Sequence, residues 1–344
     1  MAFESGGRSF GAPGRTGRKI DMGPTVNYAL VLVLCSLYGI GVATNLTDIM
    51  SHKQMEIRQH YLGNHLHHHV HNQQDVITFH CKTLMTALTA TINVTWPPPK
   101  EIPPHMKISF LMDGLVKEMS WYDAYRQNGA DKPYEWSVET IEAFVRGNNT
   151  CGPFYQSPVC AEAMTKHRQK IIGQEGMVVG TMDPWSEAWL LKTGASKITT
   201  LEYHKIISHH PNLTSLHPSE LPAVFNGGKR FDFIWTFSSI EHNGLGKWGD
   251  PVNPFGDLED LARCHCMLKD DGILFLGVPV GRDEVVWNAH RIYGRYRISL
   301  ALKNWRLIDY IGPAPFDNLE TPGRWEDQPV IVLQKIPFVH EGRQ

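Results

Sequence analysis

From Gly176 to Gly281 the chain alternates short apolar runs with stretches of helical spacing. Met177-Val178-Val179 is an apolar run stopped by Gly180. Asp183-Pro184 follows, an acid able to cap a helix and an imino acid suited to its first turn. Trp185 to Thr193 carries Ala188, Leu190 and Leu191 at helical spacing, and Gly194 stops it. Lys197 to Tyr203 reads as a second strand. Its acid, Glu202, lies about 20 residues past Gly180, where dinucleotide-type folds place the carboxylate for a ribose hydroxyl. Phe231 to Phe237 is a buried-strand run that delivers Ser238, Ser239, Glu241 and His242 at its carboxyl end. Leu258 to Leu268 reads as a helix, Lys269-Asp270-Asp271-Gly272 as a turn, and Ile273 to Pro279 as the next strand. Asp283-Glu284 and His290-Arg291 are expected on a helix, and Asn304–Tyr310 and Gln328–Gln334 as two further strands. Residues Met106 to Arg168, with Trp121, Tyr122, Tyr125, Trp136 and Phe144, are expected as a helical cap.

Phe231–His242 and Leu268–Pro279 resemble the fourth and fifth strands of class I S-adenosylmethionine-dependent methyltransferases. The patterns Glu241–Pro251, Gly277–Asp283 and Asn288–Gly294 further resemble a methyltransferase-like family catalogued only as a domain of unknown function. The resemblance runs roughly from Trp121 to Pro337. It implies an α/β fold, a doubly wound Rossmann-like methyltransferase sheet, and S-adenosylmethionine as cofactor. Gly180, Asp183, Glu202 and Ser238 are then the cofactor-binding candidates. Asp183 would meet the methionine ammonium and Glu202 the ribose; the competing role for Asp183 is a helix cap. His242 is the candidate general base on an acceptor hydroxyl, with Glu241 orienting it or touching cofactor. Their competing role is capping or loop hydrogen bonding. Asp250, Asp283 and His290 are expected to converge on the same edge. The loop departs from the family pattern: in Gly180-Thr181-Met182-Asp183-Pro184-Trp185 only one glycine remains, and Trp185 occupies a place glycines normally leave open. That departure favours a non-catalytic binding domain as the alternative to a methyltransferase.

The amino-terminal third says where such a domain would work. Met22 to Thr47 holds no charged residue, and residues 26–46 are long enough to span a hydrocarbon core at about 1.5 Å per residue. Arg8, Arg15, Arg18 and Lys19 precede it, which keeps residues 1–25 cytoplasmic and puts the rest in a lumen. The length of the run favours an uncleaved signal-anchor over a cleaved signal peptide. Residues 47–101 read as a stem and Pro-rich linker whose near-helical apolar spacing would let two copies pair, and 102–344 as the lumenal domain. The stem's seven histidines suit a solvated face, and no metal is assigned to them. Cys151 and Cys160 bracket a Gly/Pro loop that suits a disulfide, while Cys264 and Cys266 would point apart on a helix. Sequons at Asn93, Asn148 and Asn212 suit glycosylation. These features point to a single-pass type II protein of the Golgi or endoplasmic reticulum acting on a glycan or glycoprotein. Stemmed lumenal proteins are often glycosyltransferases, but no Asp-x-Asp pair occurs in the chain. Without the tail, 29 basic residues face 33 acidic ones with no basic run, which argues against nucleic acid.

Overall fold

The computed structural model describes residues 81–88, 97–122, 132–146, 157–312 and 319–336. The tail, the anchor, most of the stem, Asn93, Asn148, Tyr125 and Cys151 lie outside the described residues. Among the described residues no helix is long and apolar enough to cross a membrane.

Seven strands form the central sheet: β3 (Glu175–Val179), β4 (Lys197–Leu201), β6 (Leu213–Leu216), β7 (Phe231–Phe237), β8 (Leu268–Gly277), β11 (Trp305–Ile311) and β12 (Val330–Lys335). Their order is β11-β12-β8-β7-β3-β4-β6. The five from β8 to β6 are parallel, and β12 runs antiparallel to both neighbours. Helices cover both faces of the sheet's middle, which is why β3, β7, β12 and the second half of β8 read as nearly unbroken apolar runs. On one face Val178, Phe233, Trp235 and Phe275 pack under α3 (Val138–Arg146), α4 (Ser157–Lys166) and α5 (Trp185–Thr193). On the other, Met177, Ile234, Leu274 and Ile331 pack under α6 (Leu221–Asn226), α7 (Gly256–Met267) and α8 (Arg295–Ala301). Gly194, at φ +113°, closes α5 as its spacing predicts. The chain leaves β3 toward β4 and β6, then returns to β7 on the opposite side. This strand-order reversal opens a crevice at the carboxyl ends of β3 and β7.

Three expectations need correction. The turn at 269–272 is taken into β8 as an irregularity: pairing jumps from Phe231–Leu268 to Phe233–Ile273, and Asp271 sits at φ 61°. Residues 283–291 form no helix. Glu284–Trp287 is β9, which pairs in parallel with β1 (Lys117–Ser120) and antiparallel with β10 (His290–Ile292). Val285, Val286 and Trp287 suit a strand, and the partner that makes them one comes from far upstream. For the same reason the cap is mixed: α2 (Lys107–Phe110) and α3 sit beside β1 and beside β2 (Tyr134–Trp136), which pairs with β5 (Ile206–Ser208).

The domain also reaches back before Ile102. Helix α1 (81–88), within the stretch expected as stem, buries Cys81 and Met85 in the core shared with Leu221, Phe225 and Met267. A disulfide joins Cys81 to Cys266. Cys160 is buried on α4, and the expected Cys151–Cys160 pairing involves Cys151, which lies outside the described residues. Asn212 is exposed on the turn before β6.

Candidate active site

A cavity of about 290 Å³ opens at the crevice, lined by the ends of β3, β4 and β7 and by α6 and α7. Gly180 ends β3 at φ +73°, and a Cβ there would lie 1.7 Å from Ser239 Oγ, so only glycine lets the two loops meet. The Thr181 amide donates to Glu202 Oε2 at 3.0 Å, and Thr181 Oγ1 to the Asp183 carbonyl at 2.6 Å. Trp136 Nε1 donates to the Met182 carbonyl at 3.3 Å. A loop poor in glycine is thus fixed by side chains. Asp183 caps nothing: the helix begins after Pro184 without a side-chain cap, and Asp183 stands exposed at the cavity lip. Trp185 turns edge-on to Phe237, with ring centres 6.1 Å apart, and forms a wall rather than a plug.

Glu202 is placed where its spacing predicts, but it is already engaged. Its Oε1 accepts from the His204 amide at 3.0 Å and lies 3.1 Å from His204 Nδ1. Each carboxylate oxygen has further acceptor capacity, so the group still suits a ribose diol at the cavity. Ser238 adopts φ 53°, and its hydroxyl accepts from Gln328 Nε2 at 2.9 Å. Gln328 is fully buried just before the antiparallel strand β12, 90 residues away.

Glu241 and His242 share a single 3-10 turn at the end of β7. His242 Nδ1 lies 2.6 Å from the Ala289 carbonyl. A carbonyl can only accept, so Nδ1 carries the proton and Nε2 keeps its lone pair. Burial pushes the ring below its ordinary value against the pull of the Ala289 bond, so it is neutral at neutral pH. With 19% of its side chain exposed, it faces the cavity. Glu241 does not orient it through Nδ1. Its Oε1 lies 3.6 Å from Nε2, too far for a hydrogen bond. Burial pushes the Glu241 carboxyl up to about 8, so it holds a proton at neutral pH.

Asp250 and Asp283 do not converge on this edge. Asp250 accepts from the amides of Gly244, Gly246 and Trp248 and closes the loop after His242. Asp283 accepts from the amides of Gly294, Tyr296 and Arg297 and starts α8. His290 meets His242 edge-on, ring centres 6.4 Å apart, and does not line the cavity. Beneath them lies a buried charge cluster. Asp257 accepts from Tyr293 Oη at 2.8 Å and Arg297 Nε at 2.7 Å. Arg291, 3.8 Å from Asp257, donates to the carbonyls of Glu241, Asn243 and Asn253. Burial pushes the Asp257 carboxyl up, but Arg291 and Arg297 outweigh it and hold the carboxyl below its ordinary value. Sequence spacing missed the lining residues Tyr203, His204, Trp248, Asp260 and Arg263. Only Tyr203 and His204, directly after Glu202, carried a local signal.

Among the described residues no group of three or more His, Cys, Asp or Glu is placed to hold a metal ion. The glycine-only approach at Gly180 and the carboxylate at the end of β4 fit a nucleoside cofactor. With the strand order and its antiparallel β12, they define a Rossmann-like fold of the class I methyltransferase type. Residues 173–315 match the family model described as Caenorhabditis protein of unknown function, DUF268. Among solved structures, the chain is similar to N-methyltransferase NodS from Bradyrhizobium japonicum WM9 in complex with S-adenosyl-l-homocysteine. The identity is 12%, over 57% of this chain and 97% of that one, with a TM-score of 0.33. TehB from Haemophilus influenzae is similar at 10% identity over 50% of this chain and 61% of that one, with a TM-score of 0.34. No curated protein matches the chain. The fold assignment rests on the strand order.

Proposed function

We propose that the chain is a membrane-anchored, S-adenosylmethionine-dependent methyltransferase of the secretory lumen, acting on a hydroxyl of a glycan or glycoprotein. The observation that carries this is convergence: Glu202 and His242, whose Nε2 lone pair is set by Ala289, line one cavity at the strand-order reversal. The lumenal setting draws on the uncharged run at 22–47, the basic tail before it and the Cys81–Cys266 disulfide. When bound, S-adenosylmethionine supplies a methyl group on a positively charged sulfur. Glu202 would hold the ribose and Asp183 the ammonium. His242 Nε2 would take the acceptor's proton. Burial weakens this base, so His242 Nε2 would first hold the acceptor hydroxyl as a hydrogen-bond acceptor. Favouring a non-catalytic domain instead, both Glu202 oxygens already accept backbone amides.

Calorimetric titration of the full-length chain with S-adenosylmethionine and S-adenosylhomocysteine separates the two readings. Saturable binding at or below about 1 mM is expected for an enzyme. His242→Gln should retain that binding and lose about 10²- to 10⁴-fold in transfer to a glycan hydroxyl. Absence of binding by the unmutated chain would sink the enzyme reading.

A further inference from the structure

The cavity has one wall from outside the matched span 173–315, namely α1, which contributes Leu88. Most helical stability in proteins comes from tertiary packing, so the position of the described part of α1 depends on what fastens it. Three fastenings hold it. Cys81 is bonded to Cys266, 185 residues away. Arg263 Nε donates to the Leu84 carbonyl at 3.3 Å, with Arg263 itself held by Asp260 at 2.5 Å and Glu259 at 2.9 Å. Met85 is buried in the core. Arg263 and Cys264 line the cavity from the same turn of α7 that carries Cys266. That turn is therefore both a wall of the site and the anchor of α1. Leu88, Leu221, Pro218 and Tyr203 are among the apolar residues of the lining, which suits a flat nucleobase.

We propose that α1 is a removable wall of this cavity, and that the Cys81–Cys266 bridge must be closed for the site to bind a nucleoside ligand; this rests on the cofactor reading above. A low-molecular-weight thiol would open it. Two electrons pass to the bridge, two cysteine thiols form, and the reductant leaves as its own disulfide. The link spans a long stretch of chain, so losing it restores much freedom to α1. The site would then be complete only after oxidation of the chain.

The test uses the full-length chain, S-adenosylhomocysteine as probe, and hydrogen exchange of α1 amides as a second readout. The double variant Cys81→Ser/Cys266→Ser should bind at least about tenfold more weakly. Its α1 amides should exchange at least about tenfold faster while β3 and β7 stay protected. Unchanged affinity overturns the proposal. Leu88→Ala, with the bridge intact, should weaken binding several-fold; unchanged affinity there removes the wall even if the double variant fails to fold. If the oxidised wild-type chain does not bind the probe, the methyltransferase reading fails. The removable wall is then decided by exchange alone, and α1 amides equally protected with and without the bridge overturn it.

Discussion

On the wall made by β3 and β4, Thr181 and Glu202 meet across 21 residues of chain through one hydrogen bond at a strand end. On the facing wall, His242 is held by Ala289 47 residues on, and its loop by Arg291 and Asp257 through contacts spanning 36 to 50 residues. The first wall is a local device that spacing alone exposes. The second is positioned from below by buried charge. Its acidic residues therefore mislead: Asp250 and Asp283 are expected to converge on the edge that holds the candidate base, yet in space they accept three backbone amides each. A carboxylate so occupied is a brace, and the motif it belongs to marks architecture before chemistry.

This contrast breaks most sharply at Asp257. Asp257→Ala leaves Arg291 and Arg297 buried without their shared partner, which costs about 3–5 kcal/mol. Urea unfolding should show most of the domain's stability gone. A loss below about 1 kcal/mol would mean that the second wall does not depend on the cluster.

The next effect tests the local wall. Glu202→Ala should weaken nucleoside binding at least about tenfold, since charge-assisted bonds to a ribose diol are worth about 1.5–3 kcal/mol each. Because Glu202 also ties down the Thr181 and His204 amides, some stability should go with it, contrary to what a free strand-end acid would show. Glu202→Gln keeps an acceptor for one amide and should recover stability more than binding. Equal recovery of both would make Glu202 a loop brace like Asp250.

The same division explains what the sequence could tell. Six of the seven central strands, all but β6, together with α5, α7 and the place of Glu202, follow from apolar runs, glycine stops and short spacing. β9 and β10 do not, because Glu284–Trp287 becomes a strand only beside Lys117–Ser120. Gln328 at Ser238, Leu88 in the cavity and Cys81 at Cys266 are likewise pairings between distant positions, and no local pattern marks them. The loop at Gly180 lies between. Its lack of glycine is visible in sequence, but the bonds that replace glycine's freedom are visible only in space.

The smallest effect compares what lies under each wall. Glu187, on the first turn of α5 below Gly180, is completely buried and takes a hydrogen bond from Thr200 Oγ1 at 2.7 Å. Burial, aided by Glu202, outweighs that bond and pushes its carboxyl from 4.5 up to about 8. Glu241 is pushed equally far under the second wall. A carboxyl with a raised native value binds more protons folded than unfolded. Its contribution to stability is therefore fully present below about 4.5 and is lost as pH rises through about 8. Asp260, pushed up to about 6, has mostly made its change by neutral pH. Burial holds His242, His265 and His290 below their ordinary 6.5, so their opposite effect also ends near there. Between pH 7 and 8 the two glutamates dominate, and stability should fall by up to about 1.4 kcal/mol per pH unit for each. Glu187→Gln should remove one share of that slope while leaving the Glu241 share, and it should spare the cavity, which Glu187 does not line. Urea midpoints at pH 6.5, 7.5 and 8.5 measure this. Identical slopes for the variant and the parent chain would show that Glu187 is already ionised in the folded protein, so that only the second wall rests on a buried proton.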